Sequence, residues 1–140
     1  MNDLTKPPAF TGRGLRILLV DDNQDMLVLF SQMILQLWRN AQLEVASGGK
    51  DALRKAASAE FDVVITDMEM PDLNGYDTAA AIRFLSEPTR KARILLVTGG
   101  TVSEEKLQQS GIDDYLLKPF NVEQLKVKID TLVTKAPKSG

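Results

Sequence analysis

One arrangement, met four times, constrains the fold more than any other feature. A short apolar run stops abruptly at a polar residue. Ile17-Leu18-Leu19-Val20 ends at Asp21-Asp22, and Val63-Val64-Ile65-Thr66 ends at Asp67. Ile94-Leu95-Leu96-Val97 ends at Thr98, and Tyr115-Leu116-Leu117 ends at Lys118-Pro119. Continuous rather than alternating apolar runs belong to strands covered on both faces, as in parallel sheets. In an open parallel sheet, the carboxyl ends of the strands converge on one crevice. Three carboxylates, a hydroxyl and an ammonium are therefore predicted to share a site.

Helical patterns alternate with these runs. Strands are predicted over residues 16–20, 42–46, 62–66, 93–97 and 114–117. Residues 25–38 carry Leu27, Phe30, Ile34 and Leu37 at helical spacing, and residues 49–59 form an Ala-rich helix. Pro71 and Asn74-Gly75 mark a loop, with Asn74-Gly75 read as a turn, and a helix over 76–85 ends before Pro88. Thr101-Val102-Ser103-Glu104 fits a capping box opening a short helix that stops at Gly111. Asn121 can cap a last helix with Leu125, Ile129 and Leu132 facing inward. Five strands alternating with five helices give an α/β class with a parallel sheet, and right-handed crossovers leave few topologies. Residues 1–14, with Lys6-Pro7-Pro8 and Gly12-Arg13-Gly14, read as a linker or arm, and residues 134–140 as a tail.

Composition removes several kinds of chemistry. The 140 residues suit one domain, and the net charge of 17 − 19 = −2 gives no support for nucleic-acid binding. With no cysteine, disulfides and thiolates are excluded. With no histidine, His-dependent triads, the usual zinc ligands and a phosphohistidine on this chain are excluded. No apolar run approaches the ~20 residues of a membrane span, and the start lacks the apolar core of a signal peptide. The expectation is a cytoplasmic protein that does not insert in membranes.

Asp21-Asp22 alone could be a loop start or helix cap. With Asp67 at a neighbouring strand end, the carboxylates repel one another, so a cation neutralises them or one holds a proton. Hard oxygen ligands without His or Cys suit Mg²⁺ or Mn²⁺. Mg²⁺ typically takes one or two carboxylates, which leaves another free to act. Asp67 is then the natural nucleophile toward phosphorus, forming an aspartyl phosphate. Lys118 would offset charge on the transferring group, and Thr98 could donate its hydroxyl to one of its oxygens. As isolated residues, Lys118 reads as a surface charge, Thr98 as a strand residue, and Tyr115 as a strand aromatic at the surface.

These motifs resemble the receiver domain of two-component response regulators. The resemblance rests on Leu18-Leu19-Val20-Asp21-Asp22-Asn23, on Asp67-Met68-Glu69-Met70-Pro71-Asp72-Leu73-Asn74-Gly75, and on Gly111 through Phe120, in order over about residues 15–133. It implies a flavodoxin-like, doubly wound sheet of five parallel strands flanked by five helices. It implies Asp67 as phosphoacceptor, and a cation held by Asp22, Asp67 and the backbone carbonyl of Glu69, with Asp21 assisting through water. Thr98 and Tyr115 would form a switch pair, and Lys118 would contact the phosphoryl group. The partners implied are a histidine kinase or histidine phosphotransfer protein, and a target on the face of the fourth helix, fifth strand and fifth helix. The chain would promote its own phosphorylation and dephosphorylation without being an enzyme in the ordinary sense.

Two departures stand out. Gly99-Gly100 follows the switch hydroxyl where the family usually has Ala, and Glu69 adds a carboxylate two residues past the acceptor. If the chain stays extended, Glu69 points to the same side as Asp67; the alternative is that it points into water and does nothing. An Asp-nucleophile phosphatase is the rival, though such enzymes usually carry Asp-x-Asp, and Glu69 stands at the second position. A flavodoxin-like cofactor binder is disfavoured by acids in the first loop, where a phosphate would need none. No DNA-binding module follows residue 133, so the chain is expected to be a stand-alone regulator or a piece of a larger protein, such as a hybrid sensor kinase.

Overall fold

The computed structural model describes residues 14–85 and 89–134. Its strands are β1 (Arg16–Val20), β2 (Gln42–Ala46), β3 (Val63–Asp67), β4 (Arg93–Thr98) and β5 (Asp114–Leu117). Its helices are α1 (Gln24–Leu37), α2 (Gly49–Ser58), α3 (Gly75–Arg83), α4 (Glu104–Ser110) and α5 (Val122–Thr134). The strands form one sheet in the order β2-β1-β3-β4-β5, with every neighbouring pair parallel. The chain runs from β1 outward to β2, then crosses back to β3 on the other side. The reversal lies between β1 and β3, where ligands of doubly wound sheets bind.

The continuous apolar runs are explained by two cores. Leu18, Val20, Val64, Ile94 and Leu96 pack toward α2, α3 and α4, against Ala52, Ala56, Ala79, Ile82 and Leu107. Ile17, Leu19, Val63, Ile65, Leu95 and Val97 pack the other way, against Leu27, Phe30 and Ile34 of α1 and Leu125, Ile129 and Leu132 of α5. Alternate side chains leave opposite faces of a strand, so a sheet covered twice needs apolar residues at every position. Each such side chain, fully buried, contributes about 1.5–3 kcal/mol.

The starts of α1, α3, α4 and α5 carry polar side-chain caps, and two of these differ from expectation. Asn23 accepts the Met26 amide at 3.0 Å, and Asn121 and Gln124 cap each other's backbone amides at 2.8 and 2.9 Å. Asn74 is the N-cap of α3 rather than part of a free turn, accepting the Asp77 amide at 2.8 Å. Gly75 is demanded by close approach: a Cβ there would collide with Leu96 Cδ1 and lie 2.9 Å from the Asp67 carbonyl oxygen. The cap of α4 is Ser103 rather than Thr101, with its side chain accepting the Lys106 amide at 3.2 Å. The Ser103 amide in turn donates to the Tyr76 hydroxyl at 3.2 Å, which fixes the entry of α4 two residues later than the capping-box pattern suggests.

The expected arm and tail lie outside the described residues apart from Gly14 and Thr134. Gly14 has φ +75 and sits against the Asn40 carbonyl, and Thr134 is the last residue of α5. Among the described residues no helix is long and apolar enough to cross a membrane.

Candidate functional site

Asp67 is the last residue of β3 and Thr98 the last of β4, so both are strand residues rather than the first residues beyond strands. Parallel pairing carries this alignment across the sheet: Val20 pairs with Thr66, Asp67 with Val97, and Thr98 with Leu117. Asp21-Asp22 and Lys118 follow directly at the ends of β1 and β5. The four polar strand ends thus meet at the carboxyl end of the sheet, beside the β1–β3 reversal.

There, one oxygen from each of Asp21, Asp22 and Asp67 lies within 4.8 Å of the others. Asp21 and Asp67 are buried, while Asp22 is exposed. The donor set is all carboxylate, which fits a hard divalent cation and does not fit a soft one. The Lys118 ammonium stands 2.6 Å from Asp67 Oδ1. Its backbone is held by a bond from the Lys118 amide to the Thr98 carbonyl at 2.8 Å, and the Lys118-Pro119 peptide is cis. Burial raises the Asp21 carboxyl above its ordinary range. The charges of Asp67 and Asp22 push the same way, against the Asn23 amide and the Lys118 ammonium. The Asn23 amide reaches Asp21 Oδ1 at 3.0 Å.

Thr98 is buried, and its hydroxyl oxygen accepts the Gly100 amide at 3.1 Å. Gly99 and Gly100 are exposed, and a Cβ on either would meet nothing closer than 3.9 Å. Tyr115 is half-buried on β5, packed toward the α4 side, with the Lys128 ammonium 5.4 Å from its ring centre. Glu69 departs from the extended-chain expectation. The strand stops at Asp67, the Met68 amide makes a last ladder bond to the Val97 carbonyl at 2.9 Å, the chain bends there, and the Glu69 side chain is exposed, outside the acidic cluster. Sequence reading missed Tyr76. Its hydroxyl holds the α4 entrance and its ring lies 5.7 Å from the Lys106 ammonium. An aromatic beside a helix cap carries no signal of a partner 27 residues away.

A sequence model of the response regulator receiver domain matches residues 17–130. The chain belongs to this family. It is 31% identical over 126 residues to the chemotaxis protein CheY-3 of Vibrio cholerae, covering 89% of this chain and 95% of that protein. It is 33% identical over 122 residues to the sensor protein GacS of Pseudomonas syringae, covering 84% of this chain but 13% of GacS. Among solved structures, the receiver domain of the sensor histidine kinase PA1611 of Pseudomonas aeruginosa superposes with a TM-score of 0.77 at 27% identity. That match covers 87% of this chain and 99% of the other, which was crystallised with a magnesium ion coordinated in its active-site cleft. The receiver is a phosphoacceptor domain of two-component systems, a signalling domain rather than a conventional enzyme, and the phosphatase reading gives way to it. Receiver domains interact with histidine kinases or phosphotransfer proteins, and this one carries an acidic pocket that fits a divalent cation.

Proposed function

We propose that the Asp67 carboxylate accepts a phosphoryl group from a phosphohistidine on a histidine kinase or histidine phosphotransfer protein. The observation that carries this reading is the Lys118 ammonium 2.6 Å from Asp67 inside a cluster of three carboxylates. An Asp67 oxygen forms a bond to phosphorus as the donor's N–P bond breaks, and the electron pair of that bond stays on the imidazole nitrogen. Lys118 shifts from the carboxylate to the phosphoryl oxygens, whose charge it offsets. The Thr98 hydroxyl uses its oxygen to accept the Gly100 amide, which leaves its own proton to donate to a phosphoryl oxygen.

Asp22, Asp67 and the carbonyl of Glu69 would hold Mg²⁺ or Mn²⁺, with Asp21 assisting through water. The cation supplies positive charge against the carboxylates and the transferring oxygens. Once phosphorylated, Thr98 and Tyr115 act as a switch pair, and the α4–β5–α5 face carries the change to a target. The receiver unit is read as residues 15–133, working in the cytoplasm. Because the chain spans a small part of GacS, its place in a longer sensor kinase is part of this proposal.

Acetyl phosphate with Mg²⁺ should add the mass of one phosphoryl group to the wild-type chain and none to Asp67→Asn, as read by intact-mass spectrometry. Undiminished labelling of the variant would sink the assignment.

A further inference from the structure

The loop from β3 to α3 leads directly away from Asp67. Its base is closed by the bond from the Gly75 amide to the Met68 carbonyl at 2.8 Å and tied to β4 by the bond from the Met68 amide to the Val97 carbonyl at 2.9 Å. Its tip is held elsewhere. The Asp72 carboxylate accepts the amides of Gly49 at 3.1 Å and Lys50 at 2.9 Å, in the first turn of α2, as well as that of Leu73 at 2.7 Å. The α2 helix has no side-chain cap of its own, because its N-cap residue is Gly48. A charged cap is delivered across the fold, from 22 and 23 residues away. The bond from the Lys50 amide is the main cause holding the Asp72 carboxyl below its ordinary range.

The glycine pair opposite is shaped to this loop. A Cβ on Gly48 would lie 3.1 Å from both Asp72 carboxylate oxygens. A Cβ on Gly49 would lie 2.6 Å from Leu73 Cβ and from Thr78 Oγ1. Neither glycine adopts the left-handed backbone, so close approach accounts for both. Gly48, Gly49 and Asp72 are mutually fitted.

We infer that Asp72 is a positioning residue for metal binding. Its carboxylate ties the loop tip to α2 and so fixes the backbone of Met68 and Glu69 beside Asp67. This rests on the reading above, in which the Glu69 carbonyl is a ligand. A loop pinned at base and tip has surrendered its freedom before the cation arrives, so binding does not bear that entropy. Linkage is reciprocal, so a cation that favours this loop position also favours the cap on α2.

The test is a Mg²⁺ titration of the domain followed by amide NMR, with a thermal melt of each variant. Asp72→Ala should weaken Mg²⁺ roughly 3- to 10-fold, less than the 10- to 100-fold typical of groups bonded directly to a metal ligand. Asp72→Asn, which keeps an acceptor oxygen, should fall between it and wild type, and decides the matter if the alanine variant fails to fold. Gly48→Ala, pressing on the carboxylate from the other side, should weaken Mg²⁺ in the same direction. In wild type the Gly49 and Lys50 amides should titrate with the same midpoint as the loop. Ala56→Gly weakens α2 near its C-terminal end, away from the bonds that Asp72 accepts at its first turn, and should lower the melting temperature with Mg²⁺ affinity unchanged. Unchanged affinity in Asp72→Ala or Asp72→Asn, or an equal loss in Ala56→Gly, reduces Asp72 to a helix cap and overturns the inference. A wild-type chain that binds no Mg²⁺ overturns the functional reading along with it.

Discussion

Two aspartates, one in the acidic cluster and one at the tip of the β3–α3 loop, respond to folding in opposite directions. Asp72 is exposed and held by three amides, so its carboxyl is lowered from an ordinary 3.8 and its contribution to stability is complete above that value. That contribution is lost as pH falls through the lowered value. Asp21 is buried near two like charges, so its carboxyl is raised from 3.8. The folded state then binds its proton more tightly than the unfolded chain does. Stability from this group falls as pH rises from about 3.8 through the raised value, and stays low above it. Asp21→Asn should therefore melt higher than wild type in metal-free buffer. The gap should widen from pH 4 upward, level off, and narrow when Mg²⁺ is added, because the cation offsets the same repulsion. Differential scanning calorimetry over that range checks it, and a gap that closes with rising pH would contradict it. At this scale the sequence was legible where a polar residue ends an apolar run, as at Asp67 and Thr98. It left two readings open where backbone direction decides, as at Glu69, since the bend at Met68 cannot be read from residue type.

Elements were legible for the same reason the cores are double. Apolar strands and amphipathic helices write their period into the chain, and β2 and β5 fall on the residues expected. Contacts between elements do not write themselves in this way. Asn74-Gly75 has the look of a turn, yet Asn74 caps α3, and Gly75 is glycine because the helix starts against Leu96 and the Asp67 carbonyl. Thr101 lost the cap of α4 to Ser103 because the Tyr76 hydroxyl holds the latter's amide. Gly75→Ala sets two effects against each other. Alanine gains about 1 kcal/mol or less of helix propensity at a helix's first residue. Overpacking a tight contact costs about 1–3 kcal/mol, and here part of the contact is backbone that cannot swing away. Packing should win, so the variant is expected to be destabilised by about 1–2 kcal/mol in urea titration. It should also label more slowly with acetyl phosphate, because the strained contact includes the carbonyl of the acceptor itself. A variant as stable as wild type would mean that α3 slides outward at little cost.

At the scale of the molecule, the site has no existence apart from the sheet. Asp21 and Asp22 come from the end of β1, Asp67 from β3, Thr98 from β4 and Lys118 from β5. In the unfolded chain the Asp21-Asp22 pair is separated from Asp67 by more than forty residues, so a divalent cation has nothing like the same site to bind. Binding is then folding free energy, and stability should rise with the logarithm of cation concentration. At ten times the dissociation constant the gain is about 1.4 kcal/mol. For a domain of this size that is roughly 5 °C in melting temperature. The gain should depend on Mg²⁺ specifically rather than on ionic strength, because the cluster is largely buried and weakly screened. Matched titrations with MgCl₂ and with NaCl at equal ionic strength separate the two. Asp22→Ala removes an exposed member of the cluster, so the metal-free protein should stay folded. Its melting temperature should no longer respond to Mg²⁺ beyond the salt control. If the variant still gains the full shift, the cation is held by a different set of groups, and the carboxylate cluster at the strand ends serves some other purpose.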